Sequence, residues 1–130
     1  MSGKFTFKKQ ERLTSKTLIQ ELFGSGSQSI SQYPVRLITK SVNPLPNNTP
    51  VQVLISVSKK HFKHAVKRNK IKRQIREAYR KNKHKLINNL QTSSTTQLIA
   101  FVWMGNEEIN TKKVEEKIVK LLDRLKEIMK

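Results

Sequence analysis

One segment constrains this chain more than any other. Residues 59–85 hold 13 of its 27 lysines and arginines and a single acid, Glu77. A cationic tail would carry no periodicity, but this segment does. Ile71, Ile75, Ala78, Tyr79 and Leu86 follow one another at helical steps of 4, 3, 1 and 7. At about 100° per residue they share a stripe roughly 100° wide, and Asn69, Lys72, Arg73, Arg76, Arg80 and Lys83 fall on the opposite side. The spacing predicts one long helix, from about residue 64 to residue 88 or 90, with one side in a core. Its other side stacks like charges about a turn apart. A helix that is merely soluble mixes signs and gains i,i+4 pairs; this one calls for a polyanion, and nucleic acid is the natural one.

The rest of the chain is folded rather than disordered. Leu, Ile, Val and Phe make up 37 of 130 residues, above the roughly 20% at which disorder sets in. The net charge is +18, of which residues 59–85 contribute +12. With no cysteine, disulfides, thiolate zinc sites and cysteine nucleophiles are excluded. No apolar run approaches the roughly 18–20 residues of a transmembrane helix, and the first residues, MSGKFTFKKQERL, lack the apolar block of a signal peptide. A cytoplasmic location without membrane contact is expected. So is a division into a flexible basic N-terminus (1–10) and one nucleic-acid-binding domain (11–130).

Along that domain, residues 11–23 place Leu13, Leu18, Ile19, Leu22 and Phe23 at helical spacing, with Thr14 or Ser15 as the cap and the glycine–serine run 24–27 as the stop. Residues 33–42 read as a strand with Pro34 near its start. Residues 43–48 form a turn cluster. Residues 51–58 alternate as a second strand, and the short connection suggests that the two pair as an antiparallel hairpin. After the basic helix and a polar loop at 92–96, residues 97–104 (QLIAFVWM) form a nearly continuous apolar strand, which suits a central position. Asn110 caps a last helix with the stripe Val114, Ile118, Leu121, Leu122, Leu125 and Met129. The order is α-β-β-α-β-α. The strand–helix–strand unit favours parallel pairing of 51–58 with 97–104 in a mixed sheet, and the fold class is an α+β sandwich.

Protein-borne catalysis finds little support. His61 and His64 sit among lysines with no Asp or Glu nearby in sequence to orient either ring. The acids are scattered, Glu107 and Glu108 being the nearest pair before the last helix, so no metal site is expected, and there is no glycine-rich phosphate loop. The histidines read instead as extra hydrogen-bonding groups at a nucleic-acid surface.

The basic segment runs Ser56-Val57-Ser58-Lys59-Lys60, then Ala65-Val66-Lys67-Arg68-Asn69-Lys70-Ile71-Lys72-Arg73, and continues through Arg76, Glu77 and Arg80. This ordered set resembles the signature of the bacterial ribonuclease P protein family: a strand ending in S-V-x-K-K, then A-V-x-R-N-R-x-K-R-x-x-R-E-x-x-R. Arg12-Leu13, Phe23, Gly26 and Arg36 add support outside the middle third. Two departures are visible. The connection His61-Phe62-Lys63-His64 is one residue longer than the family pattern and lacks its usual glycine, and Lys70 replaces an arginine, keeping charge but losing the guanidinium fork.

The resemblance implies a fold like the second domain of ribosomal protein S5, a two-layer sandwich with a left-handed β-α-β crossover, where general rules favour a right-handed one. It implies the non-catalytic protein subunit of an RNA-based enzyme that removes the 5′ leader of precursor tRNA, with no catalytic residue in the protein and Mg²⁺ held by the RNA. It makes the domain at 11–130 an RNA-binding one. Ribonuclease P RNA and precursor tRNA are the implied partners, with one protein per RNA. Lys59, Lys60, Arg68, Asn69, Lys70, Lys72, Arg73, Arg76 and Arg80 would face the RNA subunit, with Asn69 equally suited to fixing the helix entry. Arg12, Ile19, Phe23, Arg36, Leu37, Ser56 and Ser58 would line a cleft for the single-stranded leader. Of the family's aromatic cleft positions only Phe23 can stack here; Tyr33 could compensate, whereas Trp103 reads as core. The rivals are a stand-alone ribosomal or rRNA-assembly protein, a duplex-DNA binder, which would lack helix-turn-helix spacing and a dimer seam, and an RNA-independent nuclease using His61 or His64.

Overall fold

A computed structural model of the chain describes residues 9–45, 49–90 and 95–129. The apolar run at 97–104 becomes the heart of the sheet. It forms β4 (Thr96–Trp103), buried at every position but Val102. On one side it pairs antiparallel with β2 (Val35–Val42), on the other parallel with β3 (Val51–Val57). A further strand, β1 (Gln28–Gln32), pairs antiparallel with β2 and completes a mixed sheet of order β1-β2-β4-β3. The crossover from β3 to β4 is α2 (Ala65–Leu90), the long basic helix, within a residue of its expected start.

Two expectations about the sheet need correction. First, β2 and β3 do not form a hairpin, because β4 lies between them. The connection at 43–50 has only to bridge two interstrand gaps, about 10 Å, which eight residues span easily. A strand that is apolar on both faces gains most from the central place. Second, β1 is absent from the sequence reading. Its sequence, Gln-Ser-Ile-Ser-Gln, has one apolar residue, Ile30, and only that residue is buried. The real hairpin joins β1 to β2 through Tyr33-Pro34, whose peptide bond is cis, so β2 starts at Val35 rather than at residue 33.

Strand alternation sorts the side chains. On one face Val35, Leu37, Val51, Val53, Ile99, Phe101 and Trp103 meet α2 and α3 (Thr111–Ile128) in one continuous core. All five stripe residues of α2 are buried there, and each large one contributes roughly 1.5–3 kcal/mol of transfer free energy. The Tyr79 ring packs on Phe101 at 5.9 Å between centroids, tilted by 57°. Burial pushes the Tyr79 phenol far above its ordinary pKa and keeps it neutral. Asn110 caps α3 by accepting from the Lys113 amide at 2.8 Å, as expected, and the predicted stripe is buried from Val114 to Leu125.

The other face carries α1 (Lys16–Leu22), whose Leu22, with Leu13, packs on Leu98 and Ala100. This small third layer lies outside the two main ones. The helix begins five residues later than its apolar pattern suggests, because Ser15 caps it, accepting from the Leu18 amide at 3.3 Å. Upstream the backbone has other partners. Residues 9–11 form a 3₁₀ turn, Arg12 bridges to Val53, and the Leu13 amide donates to the Val53 carbonyl at 2.9 Å. Most of the expected loose N-terminus (1–8), part of the turn cluster (46–48) and most of the polar loop (92–94) lie outside the described residues.

Lys83 departs from the outward face assigned to it. Its side chain is only 3% exposed, and its ammonium contacts both Glu11 carboxylate oxygens, at 2.6 and 2.8 Å. It lies about 40° from Tyr79 around the helix, at the border of the buried stripe, where a cation persists only with a partner. The pair ties the 3₁₀ turn at residues 9–11 to the crossover helix. Lys83→Ala should lower stability by about 3 kcal/mol, the cost of stranding a mostly buried carboxylate. Urea denaturation at neutral pH measures it, and a loss below a few tenths would show that the pair is only decorative.

Candidate nucleic-acid interface

With its stripe anchored in the core, α2 turns its other side to solvent. Asn69, Lys70 and Arg73 are exposed; Lys72 and Arg76 are half-buried. Lys59 and Lys60, both exposed, sit on the turn that leaves β3, where the Ser58 hydroxyl accepts from the Lys60 amide at 3.0 Å. Lys72 and Arg76 line an open groove of about 280 Å³ together with Arg12, Leu13 and residues 53–55 of β3. The groove thus has a basic wall from α2, a second cation from the N-terminal segment and an apolar floor at the sheet edge. That combination suits a phosphate backbone with its sugar or base against the floor.

Among the cations expected to face the RNA subunit, Arg80, Lys70 and Arg68 have partners within the chain. Arg80 forks onto Glu77, with Nε to Oε2 at 2.9 Å and Nη2 to Oε1 at 3.0 Å. That hydrogen bond, reinforced by the charges of Arg80, Lys81 and Arg76, holds the Glu77 carboxyl below its ordinary value of 4.5. The same pairing raises the Arg80 pKa. Lys70 reaches Glu108 at 3.1 Å. Arg68 points back along the chain and donates to the carbonyls of Phe62 and Lys63, at 2.7 and 2.8 Å. Arg73, exposed, and the pair Lys72 and Arg76 are therefore the centre of the accessible charge.

The residues expected in a leader cleft separate into groups. Even-numbered positions of β2, β3 and β4 face α1, and register sets Arg36 beside Val102 and Val102 beside Ser56. Ile19 and the half-buried Ile38, Leu54 and Val102 pack around the α1 cluster, and Phe23, at the end of α1, is 48% exposed. Arg36 and Ser56 thus stand on a partly open apolar sheet face. Arg36 donates from Nε to the Ser29 hydroxyl of β1 at 2.7 Å, which fixes the guanidinium plane. Ser58 lies beyond the strand end, in the turn. Arg12 lines the α2 groove instead.

Leu37 does not belong to this face. It is fully buried against α2 and α3. Two adjacent apolar residues, Leu37 and Ile38, point to opposite sides of the sheet, and Ile38 takes the α1 side. Trp103 is 1% exposed and belongs to the core, as read from sequence, whereas Tyr33 is 70% exposed at the hairpin turn. Ile38, Leu54, Val102 and Glu108 were missed; only the sheet register identifies the first three, and nothing in the sequence pairs Glu108 with Lys70.

Neither histidine is set up for proton transfer by a carboxylate. The His61 ring bonds to the Asn106 amide oxygen, and His64 is exposed. Among the described residues no group of three or more His, Cys, Asp or Glu could hold a metal ion, and no described helix is long and apolar enough to cross a membrane.

Comparison with known proteins agrees with this geometry. Residues 7–126 match the family model described as Ribonuclease P. The chain is 37% identical over 121 residues to the ribonuclease P protein component of Porphyromonas gingivalis, covering 93% of this chain and 87% of that one. The solved ribonuclease P protein from Thermotoga maritima superposes with a TM-score of 0.67 at 24% identity, over 88% of this chain and 96% of that chain. The Staphylococcus aureus protein gives 0.64 at 22% identity, over 88% and 94%. These two solved structures share the fold.

The lowered Glu77 value makes a pH prediction. A carboxyl with a depressed folded-state pKa adds stability above its unfolded pKa and loses it as pH falls through the folded one. Wild type and Glu77→Gln should therefore differ in thermal midpoint at pH 7 and converge on the acid side of 4.5. A difference that persists unchanged to pH 2 would assign the effect to something other than this pair.

Proposed function

The chain belongs to the ribonuclease P protein family, and from that premise we propose how it serves the enzyme as its protein subunit. One RNA-binding domain grips the catalytic RNA through the outer face of α2 and the Lys59–Lys60 turn. The sheet face beside α1 takes the single-stranded 5′ leader of precursor tRNA. Hydrolysis would fall to the RNA, where bound Mg²⁺ would activate the attacking water and offset developing charge; the protein lowers repulsion between two polyanions and positions the leader. One protein acts per RNA, in the cytoplasm.

The observation that carries this reading is the disposition of α2. Its apolar stripe is fully engaged by the sheet and α3, so the cationic side cannot turn inward, and Lys72, Arg73 and Arg76 have no acid of their own helix to pair with except Glu77, which Arg80 holds. Guanidinium groups set on a rigid helix suit phosphate oxygens. For the leader, Phe23 offers a stacking ring, Ile38, Leu54 and Val102 offer apolar contact, and Arg36 offers an oriented fork.

Reconstitution is the direct test. Adding the protein to ribonuclease P RNA and precursor tRNA at low Mg²⁺ should stimulate 5′ cleavage. Tight RNA binding without stimulation would instead favour the stand-alone RNA-binding rival. If about six phosphates are contacted, affinity should fall roughly 10³-fold or more between 50 and 200 mM salt. Replacing Arg73 and Arg76 together by Ala should weaken RNA binding and shrink the log–log salt slope by about two with the thermal midpoint nearly unchanged. Equal loss of folding and binding would remove these residues from the interface.

A further inference from the structure

Arg68 sits in the basic signature, yet its guanidinium is turned toward its own chain. We propose that Arg68 is a positioning residue that fastens the 58–64 loop so that Lys59, Lys60 and Lys63 are held in a fixed array for RNA, and that it does not itself contact phosphate; this rests on the RNA-binding reading above. The loop connects β3 to α2 and carries three exposed lysines beside the exposed His64. Like charges so close repel one another, and such a loop would spread unless held.

Three attachments hold it. Phe62 is buried in the main core. The His61 ring bonds to Asn106 on the loop after β4. Arg68 then closes the loop from the far side: Nη1 donates to the Phe62 carbonyl at 2.7 Å and to the Lys63 carbonyl at 2.8 Å. Both carbonyls precede the first turn of α2, so helix hydrogen bonding does not satisfy them. A charged donor shared between two carbonyls is a strong clasp. The amides of His61 and Phe62 both donate to the Ser58 carbonyl at 3.2 Å, which gives the closed loop a signature that can be read without any RNA. The clasp also explains how a connection one residue longer than the family pattern, with no glycine, stays compact: the added length is taken up by burying Phe62 and tying its carbonyl down.

The proposal separates two roles that a loss of affinity alone would confuse. Arg68→Ala should raise amide hydrogen exchange at residues 60–63 in the RNA-free protein and weaken binding to ribonuclease P RNA about tenfold, through lost preorganisation, while leaving the log–log salt slope at its wild-type value. Arg73→Ala, the comparison, should leave that exchange unchanged and lower the slope by about one. Arg68→Lys, shorter and without the planar fork, should restore the exchange protection only in part. If Arg68→Ala leaves loop exchange unaltered and cuts the slope by one, Arg68 is a phosphate contact and the proposal is wrong. If both Arg68 variants lose their thermal transition altogether, Arg68 belongs to fold stability and the proposal is again wrong. The exchange measurement decides the point even if the wild-type protein fails to bind this RNA.

Discussion

Self-repulsion along α2 is the constraint on which the molecule is built. A helix with this many cations on one side gains nothing from its own charges; it exists because the other side is buried. Ile71, Ile75, Ala78, Tyr79 and Leu86 lock it against the sheet and α3, and hydrophobic burial of that extent outweighs repulsion between groups that remain solvated and screened. Core and charged surface are therefore two sides of a single element. What the apolar stripe fixes is not only stability but the direction in which the charge points.

The few acids near this surface act locally. Glu77 takes Arg80, Glu108 takes Lys70 and Glu11 takes Lys83. The first two pairs are part-exposed and hold a side chain in place more than they hold the fold together. The third is mostly buried and joins the start of the chain to the middle of the crossover helix. Between them these pairs leave Lys72, Arg73 and Arg76 as the accessible core of the basic face, with Arg68 spent on its own backbone. Formal charge in the signature thus overstates how many groups are available to a polyanion.

How much of this could be read from the sequence depended on whether a signal was periodic and local. The helices at 65–90 and 111–128 were legible because their stripes repeat over many turns, and β4 because an uninterrupted apolar run admits few places in a sheet. β1 was not, since a single isoleucine among serines and glutamines looks like a loop until β2 lies beside it. The strand order was hidden because it depends on β4 arriving between β2 and β3 from far along the chain. Leu37 and Ile38 were ambiguous for a simple reason: where both neighbours are apolar, alternation has no polar phase to read, and only pairing with β4 decides which side is wet. Lys83 failed for the complementary reason, as its partner Glu11 is distant in sequence.

The basic helix is also the connection between two strands that pair in parallel, β3 and β4. Such a connection cannot come loose by itself: to unwind it is to release one strand of the sheet, and with it the core. Contacts of this kind form late, since the chain between them must be ordered before they reward closure. The outward face of α2 is consequently as cooperative as the core itself, keeping its geometry only while the sheet is intact. Parallel pairing over so long a separation is slow, so newly made chains pass through a stage in which the cations of residues 59–85 are present without the fold that aims them.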